Sequence, residues 1–281
     1  MRVIKQTSEM ARTAGALRRA HQTIGLVPTM GALHDGHLSL IRAAAKQTRV
    51  VVVSLFVNPL QFGPGEDYDG YPRDLKQDLN LAKAAGTDIV FAPHVSQIYP
   101  ADFSTSVQVD GLSDILEGQA RPGHFRGVAT VVMKLFQIVQ PMVAYVGQKD
   151  YQQALIIQRM VKDLGIPTAI RLLPTVREPD GLAMSSRNRY LNPEERRQAT
   201  VITRALREAA DGIRAGEHNP KTVADALRHL MTREPLVRID YVALVNARTL
   251  APLPRLTGRV AILTAAWVGT TRLIDNILVD V

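Results

Sequence analysis

Two histidines, His34 and His37, stand in the segment Pro28-Thr29-Met30-Gly31-Ala32-Leu33-His34-Asp35-Gly36-His37, directly after an apolar run. Imidazoles so placed can donate to phosphate oxygens as negative charge builds on them. Residues 24–27 read as a short buried strand, Pro28 and Gly31 break it, and Asp35 can cap a helix whose apolar face continues through Leu38, Ile41, Ala44 and Ala45. Both histidines then sit at a helix N-terminus, where unpaired N–H groups and the positive dipole end favour an anion. The plain alternative is a pair of surface histidines in a helix cap. A zinc site fits less well, because the helical metalloprotease pattern sets its histidines at i and i+4 with Glu after the first, whereas Asp35-Gly36 fills the shorter gap here.

Two further loops offer matching chemistry. Gly147-Gln148-Lys149-Asp150 supplies a flexible backbone, a cation and a carboxylate straight after the apolar run 143–146. Met184-Ser185-Ser186-Arg187-Asn188 follows a Gly-containing turn and supplies two hydroxyls, backbone donors and a guanidinium, a set suited to phosphate. Each alone is ordinary turn chemistry. Their joint occurrence with His34 and His37 points to a small polyanion.

The elements that must carry these loops alternate in type. Strand candidates at 24–27, 50–57, 88–91, 143–146 and 169–173 are separated by helix candidates at 37–47, 75–85, 128–139 and 151–164. Alternation of this kind builds βαβ units on a parallel sheet, an α/β fold whose ligands collect beyond the carboxyl ends of the strands. After Pro174 the pattern changes. Asn192-Pro193-Glu194-Glu195 and Asn219-Pro220 read as helix starts, and 238–245, 260–267 and 271–277 read as strands of a small antiparallel sheet. The expected organisation is therefore a parallel-sheet domain over 1–175 and a smaller α+β domain over 176–281, with a hinge near 174–180 where Pro174 and Pro179 punctuate the chain.

Composition narrows the function classes. A chain of 281 residues that is 46% hydrophobic and 21% charged can bury a sizeable core. With no cysteine, disulfides, thiolate metal sites and a cysteine nucleophile are all excluded. The opening Met1-Arg2-Val3-Ile4-Lys5-Gln6 lacks the apolar core of a signal peptide, and the longest apolar run, 50–57, is too short to span a bilayer. A cytoplasmic protein with no membrane partner is expected. The net charge of +8 is scattered, with no basic run interleaved with aromatics, so nucleic acid is not the expected partner.

Several long blocks, taken in order, resemble the pantothenate synthetases (pantoate–β-alanine ligases) of the nucleotidyltransferase superfamily: PTMGALHDGH at 28–37, VSLFVNPLQFGPGEDYDGYPR at 53–73, RPGHFRGV at 121–128, GQKDYQQ at 147–153 and PTVREPDGLAMSSRNRYL at 174–191. The resemblance covers nearly the whole chain. It implies a Rossmann-like ATP- and pantoate-binding domain, with the smaller C-terminal domain closing over the active site. It also implies condensation of (R)-pantoate with β-alanine, ATP going to AMP and pyrophosphate, through a bound pantoyl adenylate.

Carried over residue by residue, the resemblance makes His34 and His37 the contacts to the ATP phosphates, His37 donating toward the leaving pyrophosphate. Met30, Gly31, Ala32, Leu33, Asp35 and Gly36 line the nucleotide cleft with them. Gln61 resembles the glutamine that binds pantoate and later β-alanine, and Gln153 resembles the second pantoate ligand. Lys149 and Arg187 would neutralise phosphate charge, and Ser185 and Ser186 would donate to it. Gly147 and Gln148 shape the same turn, Asp150 would accept from the ribose, and Val176 and Met184 would border the adenine. Mg2+ is implied with ATP, held mostly by phosphate oxygens and water. Asp78 is the candidate carboxylate for it, with Gln77 where family members often carry a second acid; the alternative for Asp78 is a solvent-facing helix position. His124 either approaches the substrate or orders a loop. A homodimer is implied by resemblance alone.

The Gly63-Pro64-Gly65-Glu66-Asp67-Tyr68-Asp69-Gly70 loop, polar and glycine-rich, directly follows Gln61 and is expected to cover the active site. Two rival readings stay open on sequence alone: a nucleotidyltransferase that moves AMP or CMP onto a phosphate acceptor, which would not need Gln61 and Gln153, and a nucleic-acid-binding protein.

Overall fold

In the computed structural model, which describes residues 1–281, six parallel strands form one sheet in the order β1-β4-β3-β2-β5-β6. They are β1 (Arg2–Ile4), β2 (Ile24–Thr29), β3 (Val50–Leu55), β4 (Ile89–Phe91), β5 (Val143–Gly147) and β6 (Ala169–Leu173). The order reverses between β2 and β5. In an open parallel sheet, the crevice outside the carboxyl ends of two such strands is the place for a ligand. β2 runs out into Met30–His37, the segment singled out from its histidines, and β5 ends at Gly147.

Helices cover both faces. The main ones on this sheet are α1 (Thr7–Arg19), α2 (Asp35–Gln47) and α3 (Leu75–Ala84), followed after single turns α4 (Val95–Ile98) and α5 (Glu117–Ala120) by α6 (His124–Val139) and α7 (Tyr151–Asp163). On one face Met10, Phe125, Val132, Phe136, Ile156 and Met160 pack on Leu26, Val52 and Ala144. On the other, Leu38, Ile41, Ala44 and Ala82 pack on Val27, Val51, Val53 and Tyr145. Successive residues of β2 and β3 thus feed opposite cores, as a strand buried on both faces requires.

The elements differ from the sequence expectation in several places. α6 begins at His124 rather than 128, because Gly123 takes a left-handed φ of 83° just before it. α2 is capped by the ring of His34 instead of the carboxylate of Asp35, which is the first helical residue. β1 and α1 lie outside the expected elements: β1 buries only Ile4, and α1 buries only Met10 and Ala14, too little to make a periodic signal.

The chain divides into two compact units, one of Met1–Gly147 and Gln152–Pro174, the other of Gln148–Tyr151 and Thr175–Val281. The second contains the antiparallel sheet β7 (Val237–Asn246), β8 (Arg259–Val268) and β9 (Thr271–Asp280), with α8 (Pro193–Arg214) and α9 (Pro220–Met231). Its core packs Ile202, Leu206, Leu227 and Met231 against Val260, Ile262 and Val268. Asn192 caps α8 in a reciprocal capping box with Glu195, and Asn219 caps α9, each followed by Pro at the first helical position. No helix is long and apolar enough to cross a membrane.

Candidate active site

In the first unit, the turn after β2 is built around a buried carboxylate. Gly31 and Ala32 both have left-handed backbones, with φ of 88° and 50°. Asp78, only 5% exposed, accepts the Ala32 N–H at 3.0 Å and the Leu33 N–H at 2.8 Å, one on each oxygen. A Cβ on Gly31 would lie 2.8 Å from the Asp78 carboxylate, so the close approach needs glycine. Asp78 is thus neither solvent-facing nor pointed away from the site; it fixes the loop that carries the histidines.

The two imidazoles are locked by the helix they begin. Nδ1 of His34 accepts from the Gly36 N–H at 3.2 Å, and Nδ1 of His37 accepts from the His34 N–H at 3.4 Å. The rings lie 4.1 Å apart, centroid to centroid. A nitrogen that accepts from an amide carries no proton, so in the neutral imidazoles the proton sits on Nε2 of each. Two oriented Nε2–H donors at a helix N-terminus form an anion-binding arrangement.

Gln61 is set by a buried polar chain. Tyr99 donates to Asn58 Oδ1 at 2.8 Å, and Asn58 Nδ2 donates to Gln61 Oε1 at 3.1 Å and to the Gly127 carbonyl at 3.1 Å. Burial pushes the Tyr99 phenol pKa up, which keeps it protonated as the donor. With its oxygen engaged, Gln61 turns Nε2 toward Met30, 3.0 Å from the sulfur. At Gly127 a Cβ would fall 2.1 Å from the Leu60 carbonyl oxygen, so α6 meets the Gln61 turn backbone to backbone. Gln153 sits half-buried in the first turn of α7, next to Gln152, whose amide is consumed by the Leu112 and Ile115 carbonyls.

His124 orders a loop. The Arg121 guanidinium can only donate, so Nε2 of His124 accepts from it at 3.1 Å and Nδ1–H donates to the Gln61 carbonyl at 2.8 Å. Burial, and then the charge of Arg121, hold the ring neutral with a pKa down at about 4. Arg121 also grips Glu66 of the 63–70 loop through two hydrogen bonds of 2.7 and 2.6 Å. Burial opposes the Glu66 charge, but the hydrogen bond and charge of Arg121 outweigh it and hold the carboxyl below the usual range.

The second unit holds the other candidates. Lys149 lies in a 3-10 turn, Gln148–Asp150, with its ammonium 3.5 Å from Asp150. The carbonyls of Gln148 and Lys149 both accept from Asn276 Nδ2, at 2.9 Å each. Val176 and Met184 face one another across a short hairpin, Met184 N–H donating to the Val176 carbonyl at 3.0 Å. Arg177 in that hairpin binds Asp275 at 2.6 and 3.1 Å. Ser185 caps the 3-10 turn Ser186–Tyr190 by accepting from the Arg187 N–H at 3.3 Å, which leaves the hydroxyl proton to donate. Asn188 pins the same turn to Glu178 and the Ala183 carbonyl.

No cluster of three or more His, Cys, Asp or Glu side chains converges to hold a metal ion, and Asp78 already serves two backbone amides. The residues present do not make a protein cage for Mg2+. A divalent ion would enter on the phosphate oxygens, as part of the nucleotide substrate.

A family model described as pantoate-beta-alanine ligase matches residues 2–278. The chain belongs to the pantoate-beta-alanine ligase family. It is an enzyme of that ligase class. A pantothenate synthetase from Moorella thermoacetica is 56% identical over 281 residues, covering 100% of this chain and 99% of the relative. The crystal structure of pantothenate synthetase from Thermus thermophilus superposes with a TM-score of 0.94 at 48% identity, covering 99% of each chain. A pantoate-beta-alanine ligase from Francisella tularensis, solved in complex with beta-gamma ATP and beta-alanine, gives 0.82 at 36% identity, covering 99% of this chain and 97% of that one. The Rossmann-like sheet with a small antiparallel domain is therefore the fold of this family.

Asn58, Glu66, Arg121, Arg177, Asp275 and Asn276 were not singled out from the sequence. Most of their contacts are long-range, up to 128 positions apart for Asn276 with Gln148. Only the Asp275-Asn276 pair leaves a mark, as two polar residues inside the apolar strand Thr271–Asp280.

Proposed function

We propose that this ligase condenses (R)-pantoate with β-alanine in two steps through a bound pantoyl adenylate, releasing pyrophosphate and then AMP. A pantoate carboxylate oxygen attacks the α-phosphorus, and the bond from that phosphorus to the bridging oxygen breaks as pyrophosphate leaves. The β-alanine amine then attacks the acyl carbon, the carbon–oxygen bond to phosphate breaks, AMP departs with that oxygen, and the amine sheds a proton. Neither step needs an enzyme nucleophile. The protein's part is alignment and stabilisation of charge moving onto phosphate oxygens.

The observation that carries this division of labour is the His34–His37 geometry. Two Nε2–H donors, fixed by backbone bonds to their Nδ1 atoms at the start of α2, meet the demand of a leaving pyrophosphate. Lys149, Ser185, Ser186 and Arg187 supply further positive charge and donors for the phosphates. Met30 through His37 are read as nucleotide contacts, as are Gly147 through Asp150, with Asp150 taking the ribose hydroxyls and Val176 and Met184 the adenine. Gln61, its oxygen held by Asn58, presents Nε2–H to the pantoate carboxylate and later to β-alanine; Gln153 is the second pantoate contact. Mg2+ comes with ATP. The protein is read as cytoplasmic and, by the family resemblance, as a homodimer.

Incubation of purified protein with Mg-ATP, pantoate and β-alanine, followed by mass analysis, tests the reading. Pantothenate is the expected product, with AMP and pyrophosphate in equal amounts. Nucleotide turnover indifferent to pantoate would replace it with transfer of a nucleotidyl group to a phosphate acceptor.

A further inference from the structure

Asn276 is 2% exposed and Asp275 is 4% exposed, side by side in the middle of β9. Polar side chains buried this deeply must find partners, and the partners reveal the task. Both amide protons of Asn276 go to consecutive carbonyls, those of Gln148 and Lys149, at 2.9 Å each. Its Oδ1 faces Gln148 Nε2 at 3.4 Å. Of the two ends of an Asn side chain only the nitrogen can donate to two carbonyls at once, so the orientation of the group is fixed by its neighbours.

The far end of the same segment is held as well: the Tyr151 hydroxyl donates to the Ala247 carbonyl at 2.6 Å. The stretch Gln148–Tyr151, which continues directly from β5, is accordingly part of the second compact unit. Asp275 anchors the strand beneath it, binding Arg177 at 2.6 Å and accepting from Thr203 at 3.1 Å and from the Asn276 N–H at 2.8 Å. A lysine ammonium rides on a flexible four-carbon stem, and its reach is set by where the backbone begins. Fixing the carbonyls of Gln148 and Lys149 therefore fixes the origin of the Lys149 side chain.

We propose that Asn276 is a positioning residue for Lys149, holding the turn from which the ammonium reaches the ATP phosphates. The inference rests on Lys149 acting on those phosphates. Asn276 acts through the Gln148 and Lys149 carbonyls and not on substrate.

The test is a double-mutant cycle on pantoate-dependent pyrophosphate release, with Asn276→Ser, Lys149→Gln and the double variant. Asn276→Ser is expected to slow release roughly ten- to a hundredfold while leaving the β-alanine KM unchanged. In the Lys149→Gln background the same substitution is expected to cost less than about twofold, since the group it positions is already gone. Equal losses in both backgrounds would make Asn276 a folding residue only and overturn the proposal. If Lys149→Gln alone leaves the rate intact, the role of Lys149 falls first and the positioning role with it. Should Asn276→Ser not fold, Asn276→Gln keeps an amide donor but displaces it by one methylene, and the same non-additivity is expected of it.

Discussion

The backbone N–H of His34 donates to Nδ1 of His37, while Nδ1 of His34 accepts from Gly36. Each ring is thus part of the helix cap and, through Nε2, a donor directed by that cap. Structure and chemistry can be separated by substitution. His34→Asn keeps a good capping acceptor, so its melting temperature is expected to stay near that of the parent while turnover drops about a hundredfold or more. His37→Ala is expected to give a similar loss of turnover. Melting curves beside steady-state rates decide; activity lost only in proportion to folded protein would return the histidines to a capping role.

Asp78 holds the turn through two buried amide bonds. Asp78→Ala leaves both amides without their acceptor and is expected to cost about 2–5 kcal/mol of stability, with slower turnover in the folded fraction. The Mg2+ concentration that gives half-maximal rate is expected to be unchanged. A marked rise in that concentration at an unaltered melting temperature would instead make Asp78 an ion ligand.

Glu66 ties the 63–70 loop to Arg121, at the residue next to the Pro122-Gly123-His124 turn. With side chains 17% and 25% exposed, the pair is screened only in part. Glu66→Gln is expected to speed hydrogen exchange across 63–70, and ATP with pantoate is expected to slow it in the parent protein. Exchange indifferent to both changes would rule out a covering role for this loop.

His124 titrates well below its ordinary value, at about 4 against 6.5. The unfolded chain binds the proton first on acidification, so this contribution to stability is complete above pH 6.5 and is lost as pH falls toward 4. His124→Asn, which keeps a donor for the Gln61 carbonyl, is expected to flatten the melting temperature profile in that window. The low pKa of Glu66 adds a loss at still lower pH, below the usual carboxylate range. An unchanged slope in the variant would show that His124 does not govern it.

Much of this was legible in the chain because the signals are local. The parallel sheet announces itself through buried runs such as 50–55 and 143–147, and α8 and α9 through Asn-Pro starts that cap as expected. The His34 and His37 pair could be found because its geometry is made within four residues, 34–37. The identity of the cap could not: a histidine ring displaced Asp35 because its Nδ1 reaches Gly36, a competition that propensity does not record. What sequence reading missed is what folding brings together over distance. Asp78 meets Ala32 from 46 positions away, Arg121 meets Glu66 from 55, and Asn276 meets Lys149 from 127. Each is a polar side chain on an ordinary element whose task exists only once its backbone partner has arrived.

In the proposed first step a pantoate carboxylate oxygen becomes bonded to the α-phosphorus. Turnover with carboxylate-labelled 18O-pantoate reads this directly in the mass of AMP. One labelled oxygen in each AMP and none in pyrophosphate is the predicted result. AMP without label would contradict the pantoyl adenylate and the roles assigned around it.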